Sequence, residues 1–211
     1  QGRYAPDMLL ESQAGSLCRA LGYSEIITYS FVSPAVFDQL RLPEGHDLRR
    51  TLKIQNPLGE DTSVMRTTAL PSMLDILARN SAYHNKSAKL YELAKVYLPT
   101  EGFLPAEPKM LVLGTYGENE TFFTLKGELE AILTGLRIRK PSYTSVCDNP
   151  TYHPGRCAKL TIDGVDLGFL GQIHPLTAQN YGLEGEVYCC EVNFTQLIAR
   201  REPEPTYRPL P

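Results

Sequence analysis

The 211-residue sequence has no tryptophan, no long apolar run and no glycine-rich phosphate loop. Without a run of about 20 apolar residues, a membrane-spanning helix is not expected. Without a P-loop or dinucleotide motif, the common phosphate-binding enzyme classes are disfavoured. A large excess of positive charge is also missing, because the formal net charge is −3. Since phosphate binding needs a basic surface, this chain alone is not expected to hold nucleic acid tightly.

Cysteine is scarce, and its count of five is odd. In the absence of a signal-like segment, an odd number of cysteines is typical of free thiols in a reducing compartment, which favours a cytoplasmic protein. The chain begins at Gln1 rather than at methionine, so the missing targeting segment carries little weight. A hydrophobic fraction of 42% is sufficient for one large or two small globular domains.

Candidate metal ligands and acid–base groups are sparse. Cys147, His153 and Cys157 lie within eleven residues and could provide three ligands, but their spacing matches no zinc template and a fourth ligand is not evident. The sequence therefore predicts no metal. His153 and His174 each precede a proline, which is an ordinary way to enter a turn, and no nucleophile accompanies them. The adjacent Cys189 and Cys190 would face opposite sides of a strand and are interpreted as buried apolar groups.

Apolar periodicity predicts an α+β domain with one principal antiparallel sheet flanked by helices. Helices are expected over residues 7–21, 34–40, from 71 past 78, over 125–136, from 175 to the glycine at 182, and over 195–200. Strands are expected over residues 25–32, 52–55, 89–98, 110–116 and 187–194, with a hairpin around 163–164.

Two strand predictions specify individual side chains and residue pairs. Between residues 25 and 32, Ile27, Tyr29 and Phe31 alternate with polar residues, which predicts that these three side chains are buried. Asp163-Gly164 predicts a two-residue type I′ turn. Counting outward from that turn pairs Ile162 with Val165, Thr161 with Asp166, Leu160 with Leu167, Lys159 with Gly168, and Ala158 with Phe169.

Six short segments, in order and suitably spaced, resemble the core domain of the β subunit of bacterial-type phenylalanyl-tRNA synthetases. They are residues 22–34 (GYSEIITYSFVSP), 56–71 (NPLGEDTSVMRTTALP), 89–97 (KLYELAKVY), 125–130 (LKGELE), 153–155 (HPG) and 168–175 (GFLGQIHP). The resemblance covers nearly the whole chain. It implies the fold of class II aminoacyl-tRNA synthetases and an α2β2 assembly in which the α subunit carries out both activation and transfer, using ATP and magnesium.

The resemblance also indicates where the partner subunit binds. In this family the β core packs against α through elements at the place of the first class II motif, which here corresponds to residues 7–21 and the strand after them. A second helix, starting at Pro71, is the alternative candidate. The interface is therefore predicted to include Met8, Leu9, Leu10, Leu17, Leu21, Met73 and Leu77. Contact with tRNA is expected through the assembled enzyme, and no membrane contact is expected.

Two catalytic positions differ from the class II pattern. An arginine should follow the strand that resembles LAKVY, within a Phe-Arg-x-Glu pattern, and should hold the ATP α-phosphate. Leu98 stands in place of that arginine and Thr100 in place of the acid. The third motif maps to residues 187–195, which lack both its glycines and its arginine. The resemblance therefore implies a domain without catalytic residues or a cofactor of its own.

Three functions remain open from the sequence. The favoured one is a non-catalytic scaffold over residues 1–201, followed by an extended, proline-rich linker over 202–211 that leads toward a C-terminal anticodon-binding domain. The second is a functioning class II-like ligase, which Leu98 disfavours. The third is a free-standing regulatory paralogue that binds an amino acid or a partner enzyme, which the β-type segments disfavour.

Overall fold

The computed structural model describes residues 5–203, so most of the predicted linker lies outside the described residues. Its helices are α1 (Pro6–Ala20), α2 (Val36–Gln39), α3 (Leu70–Ala82), α4 (Phe122–Gly135), α5 (Pro175–Asn180) and α6 (Phe194–Ile198). Within residues 5–203, no helix has the length and apolar character needed to cross a membrane.

The long helices begin and end where local chemistry favours it. Pro6 and Pro71 lie in the first turns of α1 and α3, where a missing backbone N–H costs nothing. Thr121 caps α4 by accepting a hydrogen bond from the backbone N–H of Thr124. Gly22 follows α1 with a φ of 87°, as a glycine beyond a helix commonly does.

Seven strands form one sheet in the order β1-β4-β5-β9-β8-β7-β6. These strands are β1 (Ser24–Glu25), β4 (Ala88–Lys95), β5 (Lys109–Tyr116), β6 (Ser142–Ser145), β7 (Tyr152–Ile162), β8 (Val165–Ile173) and β9 (Val187–Asn193). β1 pairs with β4 in parallel, and the other pairs are antiparallel. The sheet is therefore mixed rather than purely antiparallel. Parallel pairing needs a long connection, and the 62 residues from 26 to 87, which include α3, provide it.

The chain between β1 and β4 contains shorter elements. A two-stranded sheet is formed by β2 (Phe31–Val32) and β3 (Val64–Met65). Of the strand predicted over residues 52–55, Lys53 alone takes part in a β-bridge, with Val64.

The sheet is covered on both faces, which creates two cores. The core that we call the α3 core contains α2, α3 and the side chains of one sheet face. The core that we call the α4 core contains parts of α1, α4 and α6 against the opposite face. Adjacent residues of β9 alternate between the two, with Cys189 in the α3 core and Cys190 in the α4 core. Both cysteines are buried, as the sequence predicts.

The β7–β8 hairpin confirms its predicted turn but not all of its predicted register. Asp163 and Gly164 have φ angles of 52° and 76°, as a type I′ turn requires. The predicted pairs Ile162–Val165 and Thr161–Asp166 are present, but Leu160 lies opposite Gly168 instead of Leu167. Likewise Lys159 pairs with Phe169, and Ala158 with Leu170.

A β-bulge causes this change of register. Leu167 and Leu170 are three residues apart, yet both lie in the α4 core, which a regular strand does not allow. Gly168 has a φ of 145°, and a Cβ there would lie 2.0 Å from the carbonyl oxygen of Glu191 in β9. Glycine is therefore required at the bulge because the neighbouring strand approaches so closely.

The predicted strand over residues 25–32 is wrong in two respects. Regular strand structure is limited to β1 and β2, and residues 26–30 between them are irregular. The predicted buried face is exposed instead, with Ile27, Tyr29 and Phe31 at 91%, 83% and 43% of full exposure.

Candidate functional site

Five large apolar side chains lie exposed on α1 and on the segment after β1. We call this group the apolar face: Met8, Leu9, Ile27, Tyr29 and Phe31. Scattered exposed apolar residues are normal, but several large ones on neighbouring elements indicate an interaction surface.

A chain of contacts places both halves of the apolar face at one end of the sheet. Glu11 of α1 forms an ion pair of 2.5 Å with Lys109, the first residue of β5. Lys109 is paired with Lys95 at the end of β4. The carbonyl of Lys95 accepts a hydrogen bond from Arg66, whose guanidinium also reaches the carbonyl of Tyr29. The start of α1 and residues 27–31 therefore lie near the same ends of β4 and β5, with α1 on the α4-core side of the sheet and the Glu92 anchor on the α3-core side.

The structure exposes some of the residues predicted for the partner interface and buries others. Met8 and Leu9 are 52% and 56% exposed. Leu10, Leu17 and Leu21 are half-buried, and Leu17 and Leu21 pack against the α4 core. Met73 and Leu77 have 0% exposure in the α3 core. Helix α3 therefore directs these two side chains onto the domain's own sheet, and a role for them at the partner interface stays a prediction.

A buried group of charged and polar residues holds the segment that carries Ile27 and Tyr29. Glu92 of β4 accepts hydrogen bonds from the backbone N–H of Thr28 at 3.1 Å and from its hydroxyl at 2.8 Å. Arg66 donates to the Thr28 hydroxyl at 2.7 Å and forms an ion pair of 3.3 Å with Glu92. Arg66 and Glu92 are 3% and 4% exposed. A polar residue, Thr28, is therefore drawn inward, and its apolar neighbours face solvent.

The two positions predicted to stand in place of class II catalytic residues lie on the β4–β5 connection. Leu98 pairs with Ala106 in a β-bridge and packs against the α3 core. The hydroxyl of Thr100 accepts a hydrogen bond from the Gly102 N–H and donates one to the Leu104 carbonyl. Neither side chain carries a charge, and both make contacts within the β4–β5 connection.

The segment that the sequence predicts to match the third class II motif contains an enclosed carboxylate, Glu191 of β9. Glu191 accepts hydrogen bonds from the Thr68 hydroxyl at 2.5 Å and the Ala69 N–H at 2.7 Å. Burial raises the pKa of Glu191, although these two hydrogen bonds oppose that shift. The side chain borders a cleft of about 550 Å³ that is also lined by Tyr152 and Phe169.

This carboxylate has the wrong sign for holding a phosphate. A protonated Glu191 is neutral and an ionised one is negative, so in neither state does it attract the ATP α-phosphate. Arg41 also lines the cleft, but its guanidinium donates to the carbonyl of Pro150. Among the described residues that line this cleft, no set of convergent cations of the kind that holds a phosphate is found.

The histidines and cysteines singled out in the sequence do not form one site. His153 and His174 each accept a hydrogen bond two residues ahead, from the backbone N–H of Gly155 and Leu176. Cys147 is exposed and Cys157 is buried. The described part of the chain contains no group of three or more His, Cys, Asp or Glu that could hold a metal. The absence of stoichiometric zinc stays a prediction.

Reasoning from the sequence missed three ionisable residues of this region. Arg66 and Glu92 are buried and Glu191 is enclosed by its neighbours, and the partners of all three are distant in the chain. A signal was present for the two acids, because each interrupts an otherwise apolar strand, in LYELA and in YCCEV. A charged residue in a two-face-buried strand is expected to have a specific partner.

The fold is that of class II aminoacyl-tRNA synthetases. It matches the crystal structure of pyrrolysyl-tRNA synthetase from Desulfitobacterium hafniense with a TM-score of 0.74 at 14% identity, over 90% of this chain and 67% of that one. A second structure of that organism's enzyme, PylSc, matches with a TM-score of 0.73 at 13% identity, over 92% and 66%. At such low identity the likeness concerns the fold alone.

The family is narrower than the fold. Residues 1–194 match the model of the phenylalanyl tRNA synthetase beta chain CLM domain, and the chain belongs to this family. It is 43% identical over 204 residues to the phenylalanine–tRNA ligase beta subunit of Clostridium tetani, covering 96% of this chain and 26% of that protein. It is 44% identical over 192 residues to the beta subunit of Clostridium acetobutylicum, covering 90% and 24%. The chain thus spans about a quarter of these relatives' length.

Proposed function

We propose that this chain is the non-catalytic scaffold domain of a phenylalanine–tRNA ligase β subunit and that it packs against the catalytic α subunit through the apolar face. The observation that carries the proposal is the exposure of Ile27 and Tyr29, at 91% and 83%, on a segment fixed by hydrogen bonds to the buried side chains of Arg66 and Glu92. The assembled enzyme is proposed to be an α2β2 cytoplasmic ligase. It uses ATP and magnesium to attach phenylalanine to tRNA, and tRNA is met through the assembly.

The apolar face has the composition of a binding surface. Aromatic and aliphatic anchors at the centre of an interface supply much of the binding energy, and Tyr29 and Phe31 are of this kind. Because the segment is held by Arg66 and Glu92, little conformational entropy is lost when a partner covers it. The relatives' name, beta subunit, supports a partner subunit of the same ligase.

Catalytic silence of the domain is supported at three positions. Leu98 and Thr100 supply no charge to hold and polarise the ATP α-phosphate, and Glu191 places an acid beside the cleft. Losing one preorganised donor at a developing charge costs about 10²–10³ in rate in other enzymes. The loss of the motif residues together is expected to leave no measurable activation.

Co-expression with the cognate α subunit tests the proposal. We expect the chain to co-purify with α, to elute at the size of a complex, and to be required in its full-length form for aminoacylation of tRNA. The chain alone should give no phenylalanine-dependent ATP–pyrophosphate exchange above a heat-killed control. Exchange by the chain alone would support a functioning ligase, and failure to bind α would favour the regulatory paralogue.

A further inference from the structure

We propose that Arg66 and Glu92 are positioning residues for partner binding: they hold residues 26–30 so that Ile27 and Tyr29 face the α subunit. This inference rests on the proposed function. It adds that buried residues, which do not themselves contact the partner, orient the exposed residues that form the binding surface.

Backbone pairing alone does not hold the segment in place. β1 pairs with β4 through Ser24 and Glu25. The N–H of Ile26 then donates to the carbonyl of Tyr91 at 2.9 Å, and the regular strand ends. Beyond that point the backbone of Thr28 is bonded to the Glu92 side chain, at 3.1 Å, instead of to a strand. The Glu92 side chain therefore takes the place of the backbone hydrogen bonds that a continued strand would make in this part of the apolar face.

Thr28 is the link between the segment and the charge pair. Its hydroxyl accepts from Arg66 at 2.7 Å, and its proton can be given to either carboxylate oxygen of Glu92, at 2.8 or 3.0 Å. All of these bonds approach from the domain interior. Since successive side chains of an extended chain point to opposite sides, drawing Thr28 inward turns Ile27 and Tyr29 outward.

Arg66 joins this segment to the neighbouring elements. Its side chain donates to the carbonyls of Lys95, at 2.8 Å, and Tyr29, at 3.5 Å. Its backbone N–H donates to the carbonyl of Ser30 at 2.9 Å. Arg66 therefore connects the end of β4 to the backbone of Tyr29 and of the residue after it.

Stability alone is a poor explanation for burying this pair. Taking two charges out of water is costly, and replacing a buried ion pair by apolar residues of similar volume is often neutral or stabilising. Residues that only filled the α3 core could be apolar, as Leu90 and Ala94 on either side of Glu92 are. What an apolar pair cannot do is bind the backbone and hydroxyl of Thr28.

The decisive experiment compares Thr28→Val with Thr28→Ser in the full-length β subunit. Valine keeps the shape and removes the hydroxyl, whereas serine keeps the hydroxyl. Each variant and wild-type β, with different tags, are co-expressed with limiting α, and their ratio in purified complexes is measured. We expect T28V to be incorporated about tenfold less than wild type, because hydrogen bonds to charged groups are lost, and T28S to be within about twofold.

Hydrogen exchange of the full-length subunit provides the second readout. In T28V, amides of residues 26–30 should exchange about tenfold faster, while amides of β5 and β9 should keep wild-type protection. The double variant Arg66→Met/Glu92→Leu should behave likewise, with a larger loss of incorporation. If that double variant loses protection in β5 and β9, its loss of incorporation reflects impaired folding. The comparison of T28V with T28S then decides whether the positioning role holds.

The outcomes separate this inference from the proposed function. Equal incorporation of T28V and T28S would overturn the positioning role, whatever the exchange rates show. The variant Tyr29→Ala then decides about the surface itself. If Y29A is excluded from the complex while T28V is not, the apolar face binds α but needs no positioning. If Y29A is incorporated like wild type, the apolar face is not the binding surface and both proposals fail.

Discussion

Helix α3 and the α1 region have similar apolar patterns in the sequence and opposite surroundings in the structure. Met73 and Leu77 of α3 are completely buried against the sheet. Met8 and Leu9 of α1, with Ile27 and Tyr29 after it, are more than half exposed. An amphipathic pattern therefore shows that an element has an apolar side, but not whether that side meets its own sheet or another chain.

The largest effect is expected inside α3. Leu77→Ala should lower the free energy of unfolding of the 211-residue chain by about 2–5 kcal/mol, because it leaves a cavity in the α3 core. Urea unfolding followed by circular dichroism measures this. Leu176→Ala, at a position 51% exposed, is the matched control and should change little. Normal stability of L77A would mean that α3 is not packed tightly on the sheet, and the contrast between α3 and the α1 region would be wrong.

The next effect concerns the apolar face, where binding and stability should separate. Tyr29→Ala should weaken α binding by about 2 kcal/mol, roughly 30-fold, and change the free energy of unfolding by less than about 0.5 kcal/mol. Competitive incorporation into the complex and urea unfolding measure the two quantities. Leu58→Ala, 99% exposed and outside the apolar face, should leave both unchanged.

Within α1 a smaller contrast is expected between two leucines. Leu9 is 56% exposed, whereas Leu17 is half-buried against the α4 core, close to Gly135. Leu9→Ala should weaken α binding by about 1 kcal/mol and leave the melting temperature unchanged. Leu17→Ala should instead lower the melting temperature. Identical behaviour of the two variants would show that α1 does not divide its surface between core and partner.

The smallest effect is a pH dependence in the cleft. The folded-state pKa of Glu191 is raised above its usual 4.5, so the folded protein binds this proton more tightly than the unfolded chain does. The stabilisation from this group is complete below pH 4.5 and is lost as pH rises through the raised pKa. Urea unfolding across that range should show wild type losing stability relative to Glu191→Gln. A constant difference between the two proteins at all pH values would exclude a raised pKa.

Much of the fold was predictable because its signals are local. Prolines mark the first turns of α1 and α3, and Asp163-Gly164 specifies the type I′ turn. The bulge at Gly168 was not predictable from the hairpin alone, since its cause is contact with Glu191 on another strand. Register in a hairpin is set by its turn only until a neighbouring strand intervenes.

The candidate site divides in the same way. The replacements proposed at Leu98 and Thr100 can be predicted from the sequence because they depend on residue identity at a matched position. Which side of residues 26–31 faces solvent is not visible in the sequence. Alternation shows which side chains share a side of the strand, but it does not show which side is buried. The direction comes from Arg66 and Glu92, which lie 38 and 64 residues away from Thr28.

The neighbouring thiols of β9 give this domain a built-in pair of reporters. Cys189 and Cys190 differ by one residue in the chain, yet each lies at 0% exposure in a different core, and burial raises the pKa of both. A thiol reagent can reach either one only after the layer above it has opened. With serine at Cys18, Cys147, Cys157 and one of the two β9 positions, the labelling rate of the remaining thiol measures how often α3, or α1 and α4, lift from the sheet. Two halves of one domain thus become separately observable through one strand.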